Sequence, residues 1–151
     1  MPEYAYNQRQ NVLLGENVIF DAVIPCTSGY IIHENGTGTF LFRGISAKCS
    51  AKYQLHFTGN IAIPADGTAG EPVALAISVN GEPKMSTRAI ITPTVVDNFF
   101  QISADTVVDV PRGALFTVAV KAVSGITIGE TGTPAPSVDV QNAKLTISKT
   151  Q

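Results

Sequence analysis

Short segments in which apolar and polar residues alternate recur along the chain. Residues 53–57 place Tyr, Leu and Phe between polar neighbours, and residues 100–110 repeat the alternation over a longer span. Because successive side chains of a strand point to opposite faces, each segment predicts a strand with one buried and one solvated face. No stretch of ten or more residues carries apolar positions at the helical period. The pattern therefore predicts an all-β protein.

Two further segments, residues 73–79 and 114–120, are apolar or small on both faces. Strands of this kind are usually covered on both sides. In a two-layer sandwich the opposite sheet covers one side only, so the second side needs another cover. That second side carries five small side chains: Ala74, Ala76, Ser78, Thr117 and Ala119.

The spacing of turn residues divides the chain into ten predicted strands. Asn80-Gly81 is typical of a tight hairpin, and a bulge near Gln141-Asn142 would restore the alternation in the last strand. Ten short strands favour an antiparallel jelly-roll sandwich over a seven-stranded immunoglobulin fold. We expect an N-terminal arm over residues 1–11 and a single domain over 12–151. The strands are predicted at about 12–24, 30–34, 38–43, 52–63, 73–80, 86–92, 99–110, 114–123, 126–128 and 138–148.

Charge and hydropathy exclude several classes of protein. The net charge is −2, charged residues make up 15% of the chain, and no run of basic residues is present, which argues against nucleic-acid binding. Apolar runs are far shorter than the roughly 18 residues needed to cross a bilayer. The polar N-terminus does not resemble a secretory signal, so we expect synthesis in a cytoplasm.

The chain carries no motif that indicates catalysis or metal binding. Cys26 and Cys49 are expected to be buried thiols in a reducing compartment, although a disulfide between them stays open. His33 and His56 have no ligand spacing, whereas a cupin-type enzyme needs a histidine-rich metal set. Asn35-Gly36-Thr37 matches a glycosylation sequon but is expected to be only a turn. We therefore expect no enzyme activity, no metal and no cofactor.

Several segments in the second half of the chain resemble the tumour-necrosis-factor-like jelly roll, which also forms complement globular heads and the tips of spore-surface collagen-like proteins. The resemblance covers about residues 12–149, is most specific from 73 onward, and is strongest to small jelly-roll proteins of Firmicutes and their phages. It implies homotrimers around a threefold axis, with one sheet facing that axis. The segments are Val79-Asn-Gly-Glu-Pro83, Ile90-Ile-Thr-Pro93, Phe99-Phe100, Val108-Asp-Val-Pro-Arg-Gly113, and Asp139-Val-Gln-Asn-Ala143 with Leu145 and Ile147.

In a trimer of this type the segments 73–79 and 114–120 would lie side by side in the axis-facing sheet. Their small residues would then form the trimer interface: Ala74, Ala76, Ser78, Thr117 and Ala119. The resemblance to phage proteins makes a virion structural protein the leading hypothesis. Its specific form is a trimeric capsid decoration protein on the capsid exterior, bound to the major capsid protein through Tyr4, Tyr6 and Arg9 of the N-terminal arm.

A binding module is the alternative that the sequence leaves open. Jelly rolls also serve as receptor- or carbohydrate-binding tips of virion or cell-surface fibres, with the ligand held by loops at one end. The loop 129–137 could hold a cell-surface glycan in this way. It has no aromatic or amide side chain, which argues against a strong sugar site.

Overall fold

The structure is a computed structural model that describes residues 1–126, 129 and 132–150. Within these residues the chain forms twelve β-strands and one 3-10 turn (Met85–Thr87), and no helix is long and apolar enough to cross a membrane. The strands are β1 (Glu3–Tyr6), β2 (Gln10–Leu13), β3 (Asp21–Ile24), β4 (Ile31–His33), β5 (Phe40–Arg43), β6 (Ser50–Ala62), β7 (Val73–Val79), β8 (Glu82–Pro83), β9 (Ala89–Ile91), β10 (Phe100–Pro111), β11 (Leu115–Ser124) and β12 (Ser137–Thr150).

The strands form two antiparallel sheets packed face to face. Sheet A has the order β10-β6-β12-β1-β3, with β2 also paired to β12. Sheet B has the order β4-β5-β11-β7-β8, with β9 also paired to β7. From β5 onward the long strands alternate between the sheets, so that the long neighbours within a sheet, such as β6 and β12 or β5 and β11, are distant in sequence. This connectivity is that of a jelly roll, and the predicted all-β jelly-roll sandwich is confirmed.

The alternating segments form strands with one buried face, as predicted. Tyr53, Leu55 and Phe57 of β6 are completely buried, whereas Lys52 and His56 between them are exposed. The apolar face of sheet A therefore points into the sandwich, and its polar face points to solvent. Burying side chains of this size contributes roughly 1.5–3 kcal/mol each.

Aromatic side chains join the two sheets through the middle of the core. The rings of Phe42 from β5 and Tyr53 from β6 lie 4.6 Å apart. The centre of the Phe20 ring lies 5.7 Å from that of Phe40 of sheet B and 6.2 Å from that of Phe57 of sheet A. Such tilted and edge-to-face pairs add about 0.5–1.5 kcal/mol each beyond the area they bury. These contacts fix how sheet A sits on sheet B.

The structure corrects the prediction for the N-terminus. Residues 1–11 are not a separate arm, because β1 lies between β12 and β3 and β2 pairs with β12. The strand predicted over 12–24 is interrupted between β2 and β3, where Gly15 adopts a positive φ of 89°. Of the strand predicted over 126–128, residues 127 and 128 lie outside the described residues, and Ile126 is in a bend.

Two local predictions are confirmed. The register of β12 against β6 shifts between Gln141 and Lys144, and Asn142 has a positive φ of 55°. This bulge returns the apolar side chains of the second half of β12 to the core. Asn80 and Gly81 both have positive φ values, 53° and 85°, in the tight turn between β7 and β8.

The hydroxyl of Tyr53 is a buried polar group at the end of the aromatic core. It donates a hydrogen bond to the Arg43 carbonyl oxygen at 2.5 Å, and the Tyr30 carbonyl oxygen lies 3.4 Å away. Burial raises the pKa of Tyr53 to about 12 from the ordinary 10.0. The ionised phenolate is therefore disfavoured in the folded state.

We predict that Tyr53 makes the fold sensitive to alkali. Because its pKa is higher in the folded than in the unfolded chain, its stabilisation is complete below pH 10 and is lost as the pH rises through about 12. The full shift corresponds to roughly 2–3 kcal/mol. Urea unfolding of the wild type and of Tyr53→Phe between pH 8 and pH 12 measures this contribution.

Tyr53→Phe is expected to be less stable at pH 8, by about 1 kcal/mol for the lost hydrogen bond, but to lose less stability on going to high pH. Tyr6→Phe serves as the matched control, because this ring is only half-buried. Equal alkaline losses in the wild type and in Tyr53→Phe would show that Tyr53 is not the group responsible.

Candidate functional site

The two strands with small outer faces are neighbours in sheet B. β7 and β11 pair in antiparallel register, with Ala119 opposite Ser78 and Lys121 opposite Ala76. Their adjacency is confirmed. Four of the five small side chains are almost fully buried in the single chain, with exposed fractions of 1% for Ala74 and Ala76, 2% for Ser78 and 3% for Ala119.

The side chain of Arg88 lies over the first part of this face. Arg88 directly precedes β9, and its Nη1 donates to the carbonyl oxygens of Ser124 (2.9 Å), the last residue of β11, and of Ile126 (3.0 Å) just beyond it. Because β7 lies between β9 and β11, the Arg88 side chain crosses β7 to reach these carbonyls. Only small side chains, those of Ala74 and Ala76, leave room for this crossing.

Lys121 of β11 extends toward the other end of β7. Its Nζ donates to the Gly81 carbonyl oxygen at 3.3 Å, in the turn that follows β7. The aliphatic stem of a lysine can cover apolar surface while its ammonium group stays polar. Lys121 and Arg88 thus supply an intramolecular cover for the small-residue face, which we had expected a second copy to provide. The trimer contact through these small residues stays a prediction.

Large apolar side chains are exposed at the other end of the same face. Ile32, Leu41 and Thr117 lie in one cross-strand row of β4, β5 and β11, and Leu115 lies two residues before Thr117. Ile32 is 48% exposed and Leu115 is 54% exposed. We call Ile32, Leu41, Leu115 and Thr117 the apolar patch. The sequence places Leu115 and Thr117 on this face but assigns only Thr117 to the interface, because the exposure of Ile32 and Leu115 depends on which strands lie at the end of the sheet. Leu41 between them is half-buried.

The structure separates the three residues assigned to a capsid-binding arm. Tyr4 is 3% exposed, and its ring packs against Phe40 at 4.8 Å, so it belongs to the core. Tyr6 ends β1 opposite Ala143 and is half-buried. Arg9 lies in the short connection between β1 and β2, with 40% of its side chain exposed. The Tyr4 side chain therefore belongs to the packed core, whereas parts of the Tyr6 and Arg9 side chains are accessible to solvent.

Arg9 is the centre of the largest charged cluster of the described residues. Its guanidinium pairs with Asp97 and Asp139 and lies 5.0 Å from the centre of the Phe99 ring. Asn11 Nδ2 donates to the second oxygen of Asp139 at 2.8 Å. Hydrogen bonding to Asp97 and Asp139 raises the pKa of Arg9. Asp139 is buried. Its pairing with Arg9 therefore holds the N-terminal segment against β12, and the pairing with Asp97 holds it against the loop before β10.

The outer face of sheet A is polar and solvated. Asp105, His56 and Thr146 lie in one cross-strand row, and His56 Nδ1 pairs with Asp105. The Thr146 hydroxyl is 3.4 Å from the His56 carbonyl oxygen, to which it donates, so the row does not form a nucleophile activated by a base. Among the described residues, no group of three His, Cys, Asp or Glu side chains could hold a metal ion.

The two cysteines are free thiols in different surroundings. Cys49 is exposed, which contradicts the expectation that both are buried, and Cys26 is half-buried. Burial acts to raise the pKa of Cys26, but hydrogen bonds from backbone N–H groups, those of Ile31 and Ser28 foremost, outweigh it and lower the pKa. Of the loop 129–137, residues 130 and 131 lie outside the described residues.

Comparison with known proteins yields structural likeness only. No family model matches the chain, and no curated protein matches it. The globular domain of zebrafish complement 1qA protein aligns at 14% identity over 95% of both chains, with a TM-score of 0.49. The C-terminal domain of EclA, a sugar-binding protein, aligns at 12% identity over 95% of this chain and 79% of its own, with a TM-score of 0.41.

A family 35 carbohydrate-binding module from Clostridium thermocellum aligns at 13% identity, with a TM-score of 0.31, over 91% of this chain and 97% of its own. Identities and scores this low carry no conclusion about ligand or function. The jelly-roll assignment rests on the strand order of the chain itself.

We predict that Arg88 stabilises the fold through its crossing of β7. Arg88→Met keeps most of the side-chain length but removes the donors to Ser124 and Ile126, so the free energy of unfolding should fall by about 1–2 kcal/mol. Urea denaturation measures this loss. Arg112→Met, at an exposed turn, is the matched control and should change stability by less than about 0.5 kcal/mol. Equal stability of Arg88→Met and the wild type would contradict the assigned role.

Proposed function

We propose that the chain is a non-enzymatic assembly protein that forms homotrimers and, as a trimer, decorates a phage capsid. The observation that carries the self-association is the apolar patch of sheet B. Ile32 and Leu115 are exposed on either side of the half-buried Leu41, and an exposed apolar patch on a soluble protein often marks a surface that a partner covers. A second copy of the chain is the partner that the resemblance to trimeric jelly rolls suggests.

The patch has the composition of an interface core. Its four residues are aliphatic or small, Ile32 and Leu115 are each about half exposed, at 48% and 54%, and the exposed Arg43 lies directly opposite Leu115 at its border. Burying the exposed half of such a side chain contributes roughly 1 kcal/mol per copy. Interface centres are depleted in charge, and charged residues such as Arg43 lie at the rim.

The proposed contact keeps the sheet face predicted from the sequence but moves its centre. Ala74, Ala76, Ser78 and Ala119 are already covered by Arg88 and Lys121. Thr117 adjoins Leu41 in the same cross-strand row and is the member of the predicted interface that belongs to the patch. We therefore place the trimer contact at the end of the face formed by β4, β5 and the start of β11.

The capsid part of the proposal rests on the resemblance to small jelly-roll proteins of Firmicutes phages. The accessible parts of Tyr6 and Arg9 are the proposed contacts to the major capsid protein. Arg9 is already paired with Asp97 and Asp139, so it would present an ordered guanidinium rather than a loose side chain. Less ordering entropy is lost when such a group binds.

We predict that the protein has three times the 15.9 kDa mass of the chain in light scattering at micromolar concentration. Leu115→Glu places a charge in the patch and should shift the mass to that of one chain. Thr146→Glu, on the exposed face of sheet A, is the matched control and should leave the mass unchanged. A wild-type mass of 15.9 kDa would overturn the trimer, and dissociation by Thr146→Glu alone would place the contact on sheet A.

If the chain decorates a capsid, electron microscopy of virions that carry this gene should show trimers at threefold positions of the head. Virions made with Leu115→Glu should lack this density, while virions made with Thr146→Glu should keep it. Density at a tail fibre together with specific binding on a glycan array would instead support the receptor-binding alternative.

A further inference from the structure

The outer edge of β10 presents backbone groups that no strand of the described residues pairs. β10 is the end strand of sheet A and pairs with β6 along its other edge from Phe100 to Pro111. The Val107 carbonyl oxygen points to the outer edge, because it accepts a hydrogen bond from Lys84 Nζ at 3.3 Å. In an antiparallel strand the N–H and C=O of one residue point to the same side, so the Val107 N–H also points outward.

A groove of about 360 Å³ lies beside this edge, between β10 and β8. Its floor is apolar, formed by Val79, Val108 and Phe116. Its rim is charged, formed by Glu82, Lys84 and Asp109. Alternate side chains of a strand added along β10 would point toward this floor, because side chains of a strand alternate between its two faces.

The solvent side of the same edge carries two carboxylates, one on each side of the exposed Val107. Asp105 and Asp109 are both exposed on the outer face of β10. Lys52 pairs with Asp109 at 3.1 Å and His56 pairs with Asp105, so exposed cross-strand pairs already satisfy part of this charge. Glu82 adds a third carboxylate on the opposite rim. Carboxylates therefore outnumber the lysine side chains along this edge, which favours basic groups on a bound strand.

We propose that the outer edge of β10 binds an extended segment of a partner protein as an added strand, in which Lys or Arg alternates with Val or Ile. Main-chain hydrogen bonds to β10 hold the segment, as in other cases of strand addition. Its apolar side chains enter the groove, and its basic side chains lie along Asp105 and Asp109. Lys84 occupies the Val107 carbonyl in the free protein and leaves it when the segment binds. The apolar patch of sheet B is a separate surface, so this inference is independent of the trimer.

The test uses the full chain and a fluorescent, end-blocked peptide of sequence Lys-Val-Lys-Val-Lys-Val-Lys. Val107→Pro removes the outward N–H and leaves the β6 side of the ladder intact, since proline is tolerated on the free side of an edge strand. It should weaken peptide binding, measured by fluorescence anisotropy, by about ten-fold or more. Val107→Thr keeps the N–H and the side-chain shape, and should bind within about two-fold of the wild type.

A charge variant keeps the test decisive if Val107→Pro does not fold. Asp105→Lys should weaken binding of the basic peptide and strengthen binding of the matched peptide Glu-Val-Glu-Val-Glu-Val-Glu. Binding of the basic peptide should also weaken when the salt concentration rises from about 0.05 M to about 0.5 M. Equal binding by Val107→Pro and the wild type would overturn the proposal. Equal affinity of the wild type for both peptides would overturn it as well. A lower mass of Val107→Pro than of the wild type, measured without peptide, would also overturn it and would assign the edge to a second copy of the chain.

Discussion

The mutual cover of two apolar sheet faces is the constraint on which the rest of the structure depends. Sheet A and sheet B each carry one apolar face, and neither could be exposed without a large free-energy cost. Aromatic rings from β5 and β6 meet directly between the sheets, with Phe42 and Tyr53 4.6 Å apart. Because long strands from alternate sheets follow one another in the chain, this core brings together segments that are far apart in sequence.

The outer faces of the two sheets differ because their strands use different side chains. Sheet A presents polar groups such as His56 and Thr146 to water, so it needs no cover. Sheet B presents alanines in β7, which would leave backbone and apolar surface accessible. Arg88 reaches across β7, Lys121 extends to the turn at its end, and together they account for the cover of these residues. In this sheet the small residues of β7 thus leave room for long side chains of the same chain.

The N-terminal segment shows how one strand is tied to the sandwich at two points. Tyr4 inserts its ring into the core beside Phe40, and Arg9 joins Asp97 and Asp139 at the other end of the segment. A buried carboxylate such as Asp139 requires a charged or hydrogen-bonding partner, since an unpaired buried charge is very costly. The contacts leave Tyr6 and Arg9 accessible, and leave the apolar patch and the β10 edge as the surfaces where partners can bind.

The sequence by itself determined the all-β class, the strands with one wet face, the Asn80-Gly81 turn and the bulge near Asn142. Each of these depends on a period of two or on the backbone preference of one residue, and both can be seen locally. Only the tertiary structure decided that β1 joins sheet A, that Cys49 is exposed, and that Arg88 covers β7. These outcomes depend on which distant segments become neighbours. A cross-strand contact joins residues far apart in sequence, and a local pattern carries no information on its partner.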